Sequence, residues 1–289
     1  MNIQWYPGHM TKTRRQMEED VRLVDMVAEL VDARIPVSSR NPDLDGIVGK
    51  CPRMIIFNRA DQADPAATAR WMSWFQSRDY TVMETVAKSG KGVSQFSATV
   101  KAALRDKISA WQAKGQVGRP VRVMVVGIPN VGKSTFINKV ARRKSAKAGD
   151  RPGVTRGKQW VNVDNGLDLL DTPGILWPKF EDEATGMHLA YTGAVRDEIL
   201  DSEALACGLL ELLRNRYPGA LAARYKIAED PAAKGWELLD ACARRRGMLI
   251  SGGEADTERM SRVLLDEFRS CRLGRFTLEL PEDLPGGDN

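Results

Sequence analysis

Gly127-Ile128-Pro129-Asn130-Val131-Gly132-Lys133-Ser134 fits G-x-x-x-x-G-K-[ST] at every fixed position. A strand-like apolar run, Val121 to Val126, precedes it, and a helix-compatible run from Lys133 to Val140 follows. This strand–loop–helix context is what a phosphate-binding loop requires. Small residues let successive backbone N–H groups close around phosphate oxygens, and the helix N-terminus faces the anion. Lys133 is placed to reach the β- and γ-phosphates of a nucleotide, and Ser134 to put a hydroxyl on Mg²⁺. Val131, Gly132 and Thr135 complete the expected cradle.

Downstream, the strand-like pair Trp160 to Val163 and Leu167 to Leu170 reads as a hairpin around Asp164-Asn165-Gly166. It ends at Asp171-Thr172-Pro173-Gly174. A D-x-x-G at a strand end beside a phosphate loop has a known use: Asp171 holds the Mg²⁺ shell through water, and the Gly174 N–H senses the γ-phosphate. Thr155, in Pro152-Gly153-Val154-Thr155, lies on the intervening loop. A threonine there binds Mg²⁺ and the γ-phosphate and so orders its loop; it suits an ordinary turn equally well.

Upstream, the buried-strand run Met54 to Phe57 leads into Asn58-Arg59-Ala60-Asp61, which resembles N-K-x-D, the guanine-reading motif. A carboxylate at Asp61 accepts the guanine N1–H and N2–H, a donor pair adenine lacks. A site built on such paired polar groups rejects the wrong base by about 10⁴ or more. Arg59 replaces the usual Lys, but its stem and planar guanidinium still lie across a base. After the next strand signal, Tyr80 to Val86, Ala87-Lys88 fits the short loop that backs the base; neighbouring Thr85 and Ser89 are alternatives.

Charge is unevenly spread over the 289 residues. Residues 1–189 carry 29 Lys+Arg against 20 Asp+Glu, and residues 190–289 carry 14 against 18. The basic part coincides with the phosphate-binding part, which favours a polyanionic partner there. Eight basic residues, Lys139, Arg142, Arg143, Lys144, Lys147, Arg151, Arg156 and Lys158, share one stretch with a single acid, Asp150. Such a run suits RNA phosphates, or is simply solvated. Lys12, Arg14 and Arg15 add to the basic surface. Arg244, Arg245 and Arg246 suit either a helix C-terminus or an RNA contact. The four cysteines are scattered with no C-x-x-C spacing, so neither a zinc site nor a disulfide framework is indicated. No apolar run is long enough to span a bilayer, and the first residues lack an apolar leader core. A cytoplasmic protein without membrane contact is expected.

Strand signals alternate with helix signals as far as about residue 180. Met26 to Val31, ending at Asp32, reads as another buried strand, and Ala33 to Asn41 as a loop. Helices are expected over Thr11–Asp25, Ala66–Ser77 and Val93–Ala113, with Lys114–Pro120 a connector. The pattern gives an α/β fold with a mostly parallel sheet covered on both faces. Beyond it the expected helices are Glu203–Tyr217, Pro231–Arg246 and Thr257–Leu273, with a short strand over Phe276–Leu280. The expected organisation is a three-layer P-loop GTPase domain over 1–180, N-terminal segment 1–25 included, then a smaller, mostly α-helical C-terminal domain over 181–289.

Motif order is the informative feature. The base-reading motifs near residues 58 and 88 precede the phosphate loop, the reverse of the common order, so the chain reads as circularly permuted. With this order, the opening Trp5-Tyr6-Pro7-Gly8-His9-Met10, the stretch Asp171-Thr172-Pro173-Gly174-Ile175-Leu176-Trp177-Pro178 and the later Ser251-Gly252-Gly253, the chain resembles the circularly permuted YlqF/YawG GTPases over nearly its whole length. The resemblance implies GTP hydrolysis with Mg²⁺, and a switch or checkpoint role on the precursor of the large (50S) ribosomal subunit. It further implies rRNA contacts through segment 139–158 and the C-terminal domain, and a monomer off the ribosome. It implies a water-orienting or γ-phosphate-sensing role for His9, although a histidine beside glycine also suits a turn. Ile175 stands where many GTPases place a water-positioning Gln, so slow unaided turnover is expected, with another group or the ribosomal particle completing the site. Asn130 implies K⁺ beside the phosphates as charge stabiliser, or else a loop Asn bonded to its own backbone. A non-ribosomal regulatory GTPase acting through a protein partner is the alternative reading; an ATPase requires the Asn58/Asp61 assignment to fail.

Overall fold

The computed structural model describes residues 10–141, 159–164, 166–171, 183–195 and 201–284. Its strands are β1 (Met26–Asp32), β2 (Arg53–Asn58), β3 (Thr81–Glu84), β4 (Val121–Val126), β5 (Gln159–Asp164) and β6 (Leu167–Asp171). They form one sheet in the order β3-β2-β1-β4-β6-β5. Every neighbouring pair is parallel except the β5–β6 hairpin at one edge. All seven residues of β1 are buried, as in a strand covered on both faces.

The strand order explains where the site lies. From β1 the chain steps outward to β2 and then β3, but β4 returns to the other side of β1. The direction of winding reverses between β1 and β4. In an open α/β sheet such a switch point leaves a crevice outside the carboxyl ends of the strands. The phosphate loop follows β4 into that crevice, and Asn58 ends β2 one strand further on.

Helices α1 (Met10–Val21), α2 (Asp43–Val48), α3 (Pro65–Gln76), α4 (Phe96–Ala103), α5 (Arg105–Ala113) and α6 (Lys133–Ala141) accompany the sheet. The start of α3 is fixed locally. The Asp64 carboxylate accepts the Ala66 N–H at 2.8 Å, and Pro65 supplies a first-turn residue that has no N–H to satisfy. Its buried Trp71 and Phe75 then pack with Val31, Ile55 and Phe57 on one sheet face. The helix expected over Val93–Ala113 is divided instead: a 3₁₀ turn at Val93–Gln95, then α4 and α5, with a break at Leu104. Phe96, Val100 and Leu104 are in the core, whereas α5 buries no residue, so the chain bends where its apolar face ends. The short α2 lies just beyond the loop expected over Ala33–Asn41, in a stretch that carries no clear helix signal.

The helical part comprises α7 (Glu183–Tyr191), α8 (Ser202–Arg216), α9 (Ala220–Tyr225), α10 (Gly235–Arg245) and α11 (Thr257–Arg269). Helices α7 and α9 are additions to the expected set, and the expected boundary at residue 180 lies outside the described residues. Asp201 caps α8 by accepting from the Glu203 and Ala204 N–H groups. Leu205, Leu209 and Leu213 of α8 pack with Leu238, Leu239 and Cys242 of α10 and with Leu264 and Phe268 of α11. The same apolar cluster continues into the sheet through Ile35, Leu30 and Val125.

Phe276–Leu280 is not a strand. It is the centre of an irregular strap over 270–284, closed by a 3₁₀ turn at Pro281–Asp283, that returns to the sheet. Phe276 N–H donates to Gln62 O at 3.2 Å and Leu278 N–H to Arg34 O at 2.7 Å. Trp71 Nε1 donates to Glu279 O at 2.8 Å. The Glu279 carboxylate accepts from the Val37 and Ser38 N–H groups at 2.6 and 3.0 Å, from the Ser38 hydroxyl, and contacts His188 Nδ1 at 2.9 Å. The strand expected over Phe276–Leu280 is therefore absent: the N–H groups of Phe276 and Leu278 bond loop carbonyls instead of forming a ladder.

Glu267 on α11 is the helical part's main buried charge. It accepts from Arg224 Nη2 at 2.5 Å, Arg246 Nη2 at 2.6 Å and the Tyr225 hydroxyl at 2.9 Å. Burial opposes its ionisation, yet these donors outweigh burial and lower its pKa from 4.5 to about 2. A depressed carboxylate stabilises the fold fully above the ordinary value of 4.5, and that stability is lost as pH falls through about 2. Glu267→Gln is expected to cost about 3 kcal/mol at neutral pH by leaving two guanidiniums without their anion. It should also flatten the acid limb of the stability profile, measured by chemical denaturation across that pH window.

Candidate functional site

The base-reading stretch and the phosphate loop are about 70 residues apart in sequence and in direct contact in space. The Asn58 side chain makes the join. Its Nδ2 donates to Val131 O at 2.8 Å, and its Oδ1 accepts the Ala87 N–H at 2.9 Å and the Thr85 hydroxyl at 3.3 Å. One buried amide therefore ties the ends of β2, β3 and β4 together. Gly132 makes the approach feasible: its φ is +102°, and a Cβ there would lie 2.4 Å from Asn58 Nδ2. Arg59 adds a second link, with Nη2 donating to Asn130 O at 2.7 Å. Asp61 follows on a turn closed by Gln62 N–H to Arg59 O at 2.8 Å, and its carboxylate is exposed.

Along the phosphate loop, Asn130 is left-handed, with φ 62°, and Lys133 opens α6. Alternation of left- and right-handed residues turns successive N–H groups inward, the geometry of an anion nest. Ser134 and Thr135 are exposed on the first turn of α6. Lys133 is only 8% exposed, and its Nζ lies 4.0 Å from Asp171 Oδ1 at the end of β6. Burial pulls the Lys133 pKa below the usual lysine range, against the pull of Asp171; burial raises that of Asp171, against Lys133. Lys133 is a largely desolvated charge and Asp171 a partly desolvated one. A polyphosphate beside Lys133 and a cation beside Asp171 and Ser134 would offset what burial costs each of them, so the residues present fit a nucleotide with Mg²⁺.

Asn58 has both ends of its amide bonded to protein, so it braces the loops. Thr85 is occupied by Asn58, and Ser89 donates to Val86 O at 3.3 Å, whereas Lys88 is exposed beside buried Ala87. Asn130 Nδ2 donates to Ala194 O at 3.3 Å, a contact from just beyond α7 that no sequence pattern signals. Arg244, Arg245 and Arg246 are engaged inside the helical part, with Asp240, Lys226 O and Glu267 respectively. His9, Thr155, Gly174, Ile175 and Arg142–Lys158 lie outside the described residues.

Sequence reasoning also passed over Asp32 and Arg34 at the end of β1. Their signal was present: a carboxylate closing an apolar strand, with an arginine two residues on, marks a buried pair. Arg34 is 1% exposed, and its Nε and Nη2 grip the Asp32 carboxylate at 2.9 and 2.7 Å.

Comparison with known proteins agrees with this geometry. A family model described as 50S ribosome-binding GTPase matches residues 122–206, from β4 into α8. A curated Ribosome biogenesis GTPase A from Priestia megaterium is 47% identical over 284 residues, covering 98% of either chain. The chain belongs to the ribosome biogenesis GTPase A family. Members of this YlqF group include solved structures of the same permuted fold. The GDP-bound structure of TM YlqF superposes with a TM-score of 0.66 at 28% identity, over 93% of this chain and 100% of that one. GNP-bound YlqF from T. maritima gives 0.63 at 28% identity, over 94% and 100%. This family member is accordingly a GTPase that binds guanine nucleotide and converts GTP to GDP and phosphate.

Asn58→Ala deletes the bonds to Val131 O, Ala87 N–H and Thr85 together. The expected result is a loss of about 2 kcal/mol in stability, from buried groups left unpaired. Weaker GDP binding should accompany it, read by thermal denaturation and by titration with a fluorescent GDP analogue.

Proposed function

We propose that this GTPase is an assembly factor that binds the precursor of the large (50S) ribosomal subunit in its GTP form, contacts rRNA, hydrolyses GTP when maturation reaches the correct stage, and leaves. The observation that carries the reading is the Asn58 bridge between the base-reading and phosphate loops, which makes one pocket for one guanine nucleotide. The relatives' name supplies the ribosomal context.

Within the pocket, the Asp61 carboxylate pairs with the guanine N1–H and N2–H, Arg59 covers the base, and Ala87 and Lys88 back it. The N–H groups of Asn130, Val131, Gly132 and Lys133 enclose the phosphates, with Thr135 at the α-phosphate side. Lys133 offsets charge on the β,γ-bridge as it builds. Ser134 and Thr155 would hold Mg²⁺ directly and Asp171 through water, and the ion would supply charge neutralisation to the phosphates. The Gly174 N–H reads the γ-phosphate. Ile175 cannot orient water, so His9, a K⁺ held by Asn130, or the ribosomal particle completes the site. Asn130 would offer K⁺ its Oδ1 while its Nδ2 keeps the bond to Ala194 O, which fixes the orientation of the amide.

The permuted order makes residues 1–180 the GTPase domain and 181–289 the helical domain, joined directly behind Asp171-x-x-Gly174. The nucleotide state thereby acts on the helical domain with few intermediaries. The basic segment 139–158 is the principal rRNA contact, since Arg244, Arg245 and Arg246 already have partners within the fold. Ribosomal work places the protein in the cytoplasm, as a monomer when off the particle; no described helix is long and apolar enough to cross a membrane.

Co-sedimentation with large-subunit particles tests the assignment. Binding should require a non-hydrolysable GTP analogue and weaken steeply with salt, as phosphate contacts do. Equal sedimentation with and without the analogue, or none with either, favours a regulatory GTPase with a protein partner. Turnover should be faster in K⁺ than in Na⁺ buffer, and His9→Ala should lower particle-stimulated turnover while GTP binding persists. Equal rates in the two salts remove K⁺ from the mechanism.

A further inference from the structure

Arg59 holds more than the phosphate loop. While its Nη2 donates to Asn130 O at 2.7 Å, its Nη1 lies 3.7 Å from Asp32 Oδ2. Asp32 Oδ1 is taken by Arg34, which donates from both its backbone N–H and its Nε, at 3.0 and 2.9 Å. The Arg34 Nη2 shares Oδ2 with Arg59 and also donates to Thr192 O at 3.3 Å. Two residues further on, Ala194 O accepts from the Asn130 side chain. The contacts close a ring: phosphate loop, Arg59, Asp32, Arg34, the segment after α7, and the phosphate loop again.

The geometry points to Asp32 as a positioning residue for GTP, holding Arg59 against the Asn130 carbonyl and so fixing the phosphate loop relative to the base-reading loop. Three observations carry this. First, two guanidiniums converge on one carboxylate that is 6% exposed, so removing its charge would set Arg34 and Arg59 against each other. Second, Arg59 is left-handed, with φ 59°, a conformation that a non-glycine residue keeps only when its surroundings fix it. Asp32 on one arm and Asn130 O on the other are those surroundings. Third, β1 pairs with β2 as far as Asp32 opposite Asn58, so Asp32 is held in register beside the residue that precedes Arg59, while the earlier half of β1 pairs with β4, the strand that carries the phosphate loop. Burial raises the Asp32 pKa, but Arg34 and then Arg59 outweigh it and keep the carboxyl below the usual range, so it is ionised at neutral pH. The inference rests on the reading that Asp61 and the phosphate loop grip one GTP.

A cycle of Asp32→Asn, Arg59→Met and the double variant tests it, with the Kd of a fluorescent GDP analogue and the KM and kcat for GTP as readouts below the melting temperature. Asp32→Asn turns an amide N–H₂ toward two guanidiniums, and Arg59→Met keeps an unbranched apolar stem without the charge. Each single change should weaken GDP binding about fivefold, and the double variant should be no weaker than Arg59→Met alone. KM should rise more than kcat falls. Losses that multiply in the double variant overturn the inference, because Asp32 would then act only through Arg34 on the fold; so does unchanged binding in Arg59→Met. Should Asp32→Asn fail to fold, Asp32→Glu enters the same cycle, since it keeps the charge that buried Arg34 needs and moves the carboxylate by one methylene. Asp61→Asn is the control for the underlying reading. It should shift preference from GDP to xanthosine diphosphate, whose C2 oxygen replaces the amino donor. Absence of that shift sinks the base-reading assignment, whereas the shift together with multiplicative losses sinks the role of Asp32 alone.

Discussion

A single primary amide, that of Asn58, governs how this protein is put together around its nucleotide. Hydrogen bonds from one buried side chain to Val131 O and from Ala87 N–H set three loop ends at fixed spacing. The spacing matters because a nucleoside triphosphate has its base and its phosphates at opposite ends, and each must be met by groups already in place. A buried amide is suited to that task. It offers donors and an acceptor from one rigid plane, and leaving any of them unmade in the interior is costly. The left-handed Gly132 beneath it is the necessary counterpart, since any side chain there would occupy the amide's position.

Circular permutation leaves this arrangement intact because a parallel sheet fixes neighbours in space and not in sequence. The strand carrying the base-reading motif and the strand carrying the phosphate loop flank β1 on its two sides. Either one can come first in the chain. What changes is which segment leaves the nucleotide pocket for the helical part, and how the two parts hold each other. Here Arg34 reaches Thr192 O, Asn130 reaches Ala194 O, and Glu279 clamps the loop after β1.

The strand–loop–helix around Gly127–Ser134 and the strands that end at Asn58 and Asp171 were legible in the sequence because they rest on local rules. A glycine-spaced loop between a strand and a helix, and charged tetrapeptides ending apolar runs, are contiguous signals. The parallel sheet followed from short, mostly apolar runs such as Met54–Phe57. What escaped was long-range or marginal. Helix α9 is six residues long. The break at Leu104 depends on where the core stops. Phe276–Leu280 has its partners beside the sheet more than 200 residues upstream, at Gln62, Arg34 and Trp71, so its alternation suggested a strand with no sign of what it paired with. The three arginines Arg244 to Arg246 read equally as a helix C-terminus or an RNA contact, because sequence shows charge without showing Glu267, Asp240 and the Lys226 carbonyl that they bond. Arg59 in place of Lys looked like a tolerated exchange; its fork geometry, with one arm on Asn130 O and the other toward Asp32, only exists in three dimensions.

The strap has a bearing on how the molecule matures. Residues 33–71 leave the translating ribosome some 200 codons ahead of 270–284, and until the later segment arrives the amides of Val37 and Ser38 and the indole N–H of Trp71 have only water to bond. Domains fold in the order they are made, so the sheet can assemble early while the loop behind the base-reading motif stays unsecured. The loop after β1 and the face of α3 that carries Trp71 are thus secured only once residues 270–284 have been made.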